Sequence, residues 1–198
     1  MTPYDVIVPA GGAARRLGGV DKPGLTVGET TLLDRVLAAC AGARTTVVVG
    51  PARPTARDGV RWTREQPPGG GPVAAVAAGL DLVTADTVLL FAADLPFLDR
   101  RTVDRLVGAL DAADPTVAAT VLVDAGGREQ PLAAAYRTAP LRAALAGLGD
   151  PDGLPLRRLV GGLSRLLVAD TDNVAYDCDT WEDLEQARER EKSWREKS

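Results

Sequence analysis

Short, unbroken apolar runs alternate along this chain with segments of helical periodicity, and that alternation restricts the fold more than any other feature. Tyr4–Pro9, Thr45–Val49 and Thr87–Phe91 are rich in aliphatic and β-branched residues. Such runs are the mark of strands buried on both faces. Between them, Leu32, Leu33, Val36, Leu37 and Cys40 recur at helical spacing behind Thr31, an N-cap candidate. Val103, Leu106, Val107 and Leu110 do the same behind Asp99. Further strands are expected at 60–62, 116–123, 132–136 and 166–168, and further helices at 73–83 and 182–196. This order implies an α/β protein with a mostly parallel sheet and helices on both faces. In such sheets the ligand crevice lies beyond the carboxyl ends of the strands, at the switch point. Two Gly-rich loops, at 10–28 and 66–72, and Asp94 all follow strands and are expected to converge there.

The chain has 198 residues, which suits one large domain. We expect that domain over residues 1–190, with a charged tail at 191–198. No repeat or low-complexity linker interrupts it. The sequence contains no histidine, which removes Ser-His-Asp and Cys-His catalysis and imidazole ligation of zinc or haem. Two cysteines, Cys40 and Cys178, read as buried thiols of a reducing compartment. A net charge of −4 with no basic block argues against nucleic acid as a partner. No apolar stretch approaches a membrane span, and no basic, signal-like start precedes the first strand. A cytoplasmic location is the expectation.

The loop after the first strand reads Ala10-Gly11-Gly12-Ala13-Ala14-Arg15-Arg16-Leu17-Gly18-Gly19-Val20-Asp21-Lys22. Two glycines there let the backbone approach a ligand, with amides free for anionic oxygens. Arg15, Arg16 and Lys22 bring three cations to the same loop, which suits a triphosphate. The spacing matches neither a Walker A loop nor a dinucleotide fingerprint, and a solvated turn with surface arginines is the competing reading. Asp94, just past a buried strand, is a candidate ligand for Mg²⁺, a hard cation that takes one or two carboxylates plus phosphate oxygens. Its alternative role is a cap or turn residue. Asp179 reads equally as a second metal ligand or as the N-cap of the last helix. Trp62 and Trp181 read as packing residues, and the charged run after Gln186 as a solvated helix face.

These residues, in this order, resemble the signature of the molybdenum cofactor guanylyltransferases: Ala-Gly-Gly after the first strand, an Arg and a Gly, then Asp21-Lys22. Pro23-Gly24-Leu25 and Thr31-Leu32-Leu33-Asp34 continue the likeness, as do Glu65 to Pro72 and Ala93-Asp94-Leu95-Pro96-Phe97. Gln130-Pro131-Leu132, Tyr136-Arg137 and the closing Asp177-Cys178-Asp179-Thr180 with Glu182-Asp183-Leu184 complete it. The sequence departs from that pattern at Pro9, Ala14, one extra residue before Asp21, Glu65 in place of Asp, and Asp177 and Asp179 in place of Asn.

The resemblance implies a Rossmann-like three-layer nucleotidyltransferase fold and transfer of GMP from GTP to the molybdopterin cofactor, with pyrophosphate leaving and Mg²⁺ as cofactor. It implies catalytic roles for Arg16, Lys22 and Asp94, and nucleotide contacts from Ala10, Gly11, Gly12, Lys22, Glu65 and Gly71. Asp94 and Asp179 are the implied metal ligands. Glu65 would accept from the N1 and 2-amino donors of guanine, or is an exposed residue before a proline loop. Arg137 and Arg157 face the acceptor's phosphate or form surface ion pairs. Transient contact with cofactor-delivering proteins or molybdoenzymes also follows. The chemistry suits the composition, because an anionic phosphate nucleophile needs positioning and charge neutralisation rather than histidine. The alternatives are a cytidylyltransferase of the same cofactor, a sugar- or polyol-phosphate nucleotidyltransferase, and a nucleotide-binding module without catalysis.

Overall fold

The computed structural model describes residues 2–12 and 17–196. Nine strands are present among them: β1 (Tyr4–Pro9), β2 (Thr26–Val27), β3 (Thr30–Thr31), β4 (Thr45–Val49), β5 (Arg61–Thr63), β6 (Thr87–Phe91), β7 (Ala119–Val123), β8 (Glu129–Arg137) and β9 (Arg165–Ala169). The helices are α1 (Leu32–Ala39), α2 (Gly71–Leu80), α3 (Arg100–Ala112), α4 (Thr138–Ala146), α5 (Leu156–Val160) and α6 (Trp181–Arg195). Seven strands form one sheet in the order β5-β4-β1-β6-β8-β7-β9, and β2 and β3 make a separate small hairpin. All neighbouring pairs in the large sheet are parallel except those of β8, which runs antiparallel to both β6 and β7.

Alternation along the strands builds the two cores. Val6, Val8, Val48, Leu89 and Phe91 face one side, where Leu33, Val36 and Leu37 of α1 and Val103, Leu106 and Leu110 of α3 cover them. Ile7, Val47, Val49, Val88 and Leu90 face the other, under Val73, Val76 and Leu80 of α2 and Leu141 and Leu159 from α4 and α5. Burial of both faces accounts for the continuous apolar runs. Helix α2 approaches β1 so closely that a Cβ on Gly79 would lie 2.5 Å from Ile7 Cγ2. The expected caps Thr31 and Asp99 accept from the amides of Asp34 and Thr102, each closing one open donor of a first turn.

Three expectations need correction. Strand 132–136 is longer, and its direction is reversed: the short turn at 124–128 folds it back as a hairpin on β7. Helix α6 continues to Arg195, past the boundary at 190. Its charged face is not simply solvated: Glu191 pairs with Arg35 of α1 at 2.9 Å with both side chains 15% exposed, and the Arg190 guanidinium lies 3.8 Å from the Phe97 ring centre. Cys40 and Cys178 are buried and unbridged, and burial pushes both thiols up to about 12. No helix among the described residues is long and apolar enough to cross a membrane.

Candidate active site

Helix α1 leaves β1 on one face of the sheet and α2 enters β6 on the other, so the winding reverses between these two adjacent strands. Their carboxyl ends therefore part at the switch point. A cavity of about 820 Å³ opens there, walled by Ala10, Gly11 and Gly12 after β1, by Ala93 and Asp94 after β6, and by Glu65, Gly71, Lys22 and Asp179. A neighbouring hollow of about 460 Å³ shares Gly11, Gly12, Lys22 and Glu65 and adds Arg53, Arg64 and Asp21.

Each wall is fixed by local structure. The Ala10 amide donates to Val49 O at 2.8 Å, tying the loop after β1 to the end of β4. Gly50, with φ +154°, closes against it, and a Cβ there would come within 2.9 Å of the Ala10 carbonyl carbon. Only glycine accepts that backbone and that contact. Lys22 opens a single 3₁₀ turn, Lys22–Gly24, in which the Gly24 amide returns to Asp21 O. Arg53 Nη1 lies 2.9 Å from Asp21 Oδ1 and anchors this turn to the loop after β4. Helix α2 begins at Gly71 and presents its N-terminus to the cavity, where its dipole favours negative charge.

The closing segment reaches the site through Asp170. This buried carboxylate accepts from the amides of Val174 and Ala175, both at 2.8 Å. The Cys178 amide then donates to Asp94 O at 3.3 Å, laying Asp179 beside Asp94. Thr180, not Asp179, caps α6, in a reciprocal capping box with Asp183. That removes the capping alternative for Asp179 and leaves its carboxylate facing the cavity.

At the centre, Lys22 Nζ pairs with Asp94 Oδ2 and donates to Asp179 Oδ1 at 2.7 Å. Burial alone would lower the Lys22 pKa, but the charges of Asp94 and Asp179 and their hydrogen bonds outweigh it and hold it above the ordinary lysine value. The Asp177 carboxyl is raised by burial and then by the neighbouring Asp179 and Asp94. Asp94 Oδ1 is buried without a hydrogen-bond partner. Glu65 is buried too, at 7% exposure; its Oε1 accepts from the Gly69 amide at 3.0 Å, while Oε2 has no hydrogen-bond partner. A buried carboxylate oxygen left open costs stability unless something binds it.

The site thus brings together Ala10, Gly11, Gly12, Lys22, Glu65, Gly71, Asp94 and Asp179. Arg16 lies outside the described residues. Arg137 does not join them: in the reversed β8 it pairs with Thr87, at the start of β6, and Ala133 pairs with Phe91. That places it roughly 13 Å down the strand from the crevice end, donating to the carbonyls of Val117 and Leu110. Arg157 is exposed on α5 and is not among the described residues that wall the cavity. Sequence reasoning missed Asp170, Arg53 and the Arg35–Glu191 pair. Asp170 sits before a polar run, Thr171-Asp172-Asn173, whose turn chemistry was its only signal.

A Gly-Gly loop, a cation and paired carboxylates at a switch point define a nucleotidyltransferase-type α/β fold. Residues 6–166 match the family described as the MobA-like NTP transferase domain, and the chain belongs to that family. It is 38% identical over 133 residues to a molybdenum cofactor guanylyltransferase of Bradyrhizobium sp. (strain ORS 278), an alignment covering 62% of this chain and 61% of that protein. A "Probable molybdenum cofactor guanylyltransferase" of Natronomonas pharaonis is 30% identical over 205 residues, covering 93% of this chain and 96% of the other. The chain spans between 55% and 61% of the length of the first three curated relatives that it matches. Among solved structures, the 2-C-methyl-D-erythritol 4-phosphate cytidylyltransferase of Thermus thermophilus superposes with a TM-score of 0.72 at 25% identity, covering 95% of this chain and 98% of that one.

Proposed function

We propose that the protein is a Mg²⁺-dependent guanylyltransferase that moves GMP from GTP onto the molybdopterin cofactor and releases pyrophosphate. The observation that carries this reading is the Lys22–Asp94–Asp179 cluster in the wall of a cavity that Gly11 and Gly12 also line. An acceptor phosphate oxygen forms the new bond to the α-phosphorus, and the bond from that phosphorus to the β-phosphate bridging oxygen breaks. Pyrophosphate leaves with the electron pair. The nucleophile is already anionic, so the residues' work is to align it in line and to offset charge.

The Gly11 and Gly12 amides and the α2 N-terminus at Gly71 receive phosphate oxygens, with Ala10 setting the loop's path and Lys22 and Arg16 supplying cationic contacts. The residues present fit a hard divalent cation. Asp94 offers a buried oxygen with no hydrogen-bond partner, and Asp179 reaches the same ammonium as Asp94. No group of three or more possible ligands exists among the described residues, so the remaining donors come from substrate phosphates and water, as Mg²⁺ favours. When bound, the ion neutralises charge on the transferring phosphoryl group and its leaving group.

Glu65 Oε2 is the acceptor for the N1 and 2-amino donors of guanine. An unmatched buried group costs about 1–3 kcal/mol, so this one oxygen biases the base choice. A second reading, cytidylyl transfer, is favoured by the likeness to the cytidylyltransferase structure. The acceptor lies towards Pro131 and Leu132 at the open end of β8, away from Arg137. The reaction belongs in the cytoplasm, with transient contact to proteins that deliver the cofactor or receive it, and involves no nucleic acid and no membrane.

The test is incubation of the protein with Mg²⁺ and molybdenum cofactor, separately with GTP, CTP, ATP and UTP, with the dinucleotide detected by mass. Product with GTP alone, lost in Lys22→Ala, is expected. Product with CTP instead overturns the role given to Glu65. No product with any nucleotide, while a control enzyme works on the same cofactor, overturns the acceptor.

A further inference from the structure

One ammonium group occupies the space between the two carboxylates that the proposed function gives to a divalent cation. Lys22 Nζ touches Asp94 Oδ2 and Asp179 Oδ1 at once, and its side chain is 15% exposed. A divalent cation entering between these carboxylates meets a positive charge already in place. Lys22 seated between the carboxylates and a divalent cation seated there therefore belong to two states of the site.

We infer that Lys22 is the resident counter-ion of the metal-free site and must be displaced before a divalent cation binds, so that metal and nucleotide triphosphate bind cooperatively through this one side chain. The inference rests on the reading of Asp94 and Asp179 as metal ligands. Without a cation, two carboxylates at one site repel, and the ammonium relieves that. A triphosphate gives Lys22 a second anionic partner within the same cavity, and its departure frees Asp94 Oδ2 for the metal. Asp94 Oδ1, already without a hydrogen-bond partner, remains available throughout.

The local structure suits a motion confined to the side chain. The backbone at Lys22 is pinned by the Gly24 amide to Asp21 O bond and by the Arg53–Asp21 ion pair. Beyond it a four-carbon stem with a compact charge pivots readily. Coupling of this kind is reciprocal: metal raises nucleotide affinity by the factor by which nucleotide raises metal affinity.

The experiment measures Mn²⁺ binding to the whole protein by electron paramagnetic resonance, with no nucleotide and no acceptor. Lys22→Met removes the charge while keeping much of the stem, and is expected to bind Mn²⁺ about tenfold or more tightly than wild type, within the usual range of site-to-site coupling. Lys22→Arg keeps the charge and is expected to stay near wild type. Asp94→Asn added to Lys22→Met is expected to abolish the gain. Mn²⁺ affinity equal to or below wild type in a folded Lys22→Met protein overturns the inference, as does no Mn²⁺ binding at all.

A second readout needs no variant. The chain has three lysines, Lys22, Lys192 and Lys197, so the ¹⁵Nζ signals of labelled wild-type protein can be told apart. The Lys22 signal is expected to move on adding Mg²⁺ with inorganic triphosphate. Saturation of the site by Mg²⁺ with the Lys22 signal unmoved overturns the inference. Neither readout involves the guanine base or the acceptor, so failure of those assignments appears in the nucleotide panel instead.

Discussion

Asp170→Asn isolates the carboxylate that shapes the closing segment without touching the cavity itself. In the folded protein both carboxylate oxygens are used, one by the Val174 amide and one by the Ala175 amide, each at 2.8 Å and buried. Asparagine keeps one acceptor and turns its NH₂ towards the other amide. The unmatched donor costs about 1–3 kcal/mol, and replacing a charge-assisted bond with a neutral one adds roughly 1 kcal/mol. The sum is about 2–4 kcal/mol, which for a chain of this length lowers Tm by roughly 4–16 °C. Urea unfolding followed by circular dichroism measures it, with Asp172→Asn as control, since Asp172 is exposed. Because the Asp170 turn leads directly into Asp177, Cys178 and Asp179, Mn²⁺ affinity is expected to fall as well. A stability change below about 0.5 kcal/mol, within the ordinary range for surface substitutions, refutes the bracing role. Lost stability with unchanged Mn²⁺ affinity refutes the link to Asp179.

Three further outcomes are expected. Arg137→Ala removes the guanidinium donors from Val117 O and Leu110 O, the latter keeping the Ala113 amide, and should cost about 1–3 kcal/mol in unfolding free energy while kcat and the KM for acceptor stay at wild-type values; a raised acceptor KM in a folded variant would return this residue to the site. Gly79→Ala drives a Cβ into Ile7 and should cost about 1–3 kcal/mol by overpacking, measured by thermal unfolding, with a neutral result showing that α2 can lift off β1. The Arg35 hydrogen bond holds the Glu191 pKa below the usual 4.5, so the stabilisation is fully present above pH 4.5 and is lost as pH falls through the lowered value. The stability gap between wild type and Glu191→Gln, from urea unfolding at successive pH, should therefore close on acidification below 4.5, and a gap that widens there contradicts the pairing.

Where the sequence was legible, one physical cause dominated. The strands β1, β4 and β6 announced themselves because burial on both faces demands unbroken apolar runs, and Thr31 and Asp99 announced their helices because an open amide selects a short oxygen-bearing side chain. Strand β8 was harder. Its centre, Ala133-Ala134-Ala135, is small for packing between layers and carries no strand preference, and its direction depends on the turn at 124–128. That direction decided the fate of Arg137: the same residue on a parallel strand would have pointed towards the crevice. Asp170 and Arg53 act on the site by holding other groups in place, and such roles are set by tertiary contacts that no local pattern records.

The charge of the cavity wall bears directly on how a triphosphate can enter. Among its described lining residues, Glu65, Asp94 and Asp179 face a single lysine. The Asp21 beside it is already matched by Arg53. Taken by themselves, those described groups repel a bare triphosphate. On the reading proposed above, Asp94 and Asp179 would hold a divalent cation whose two charges offset theirs, and Lys22 would then be available to the phosphates. The absence of histidine agrees with the transfer proposed above. A reaction between two phosphates has no proton that must be moved in the bond-making step, and its barrier is governed by where charge is placed. For the transfer proposed above, carboxylates to hold a cation and basic side chains to offset phosphate charge would serve that task.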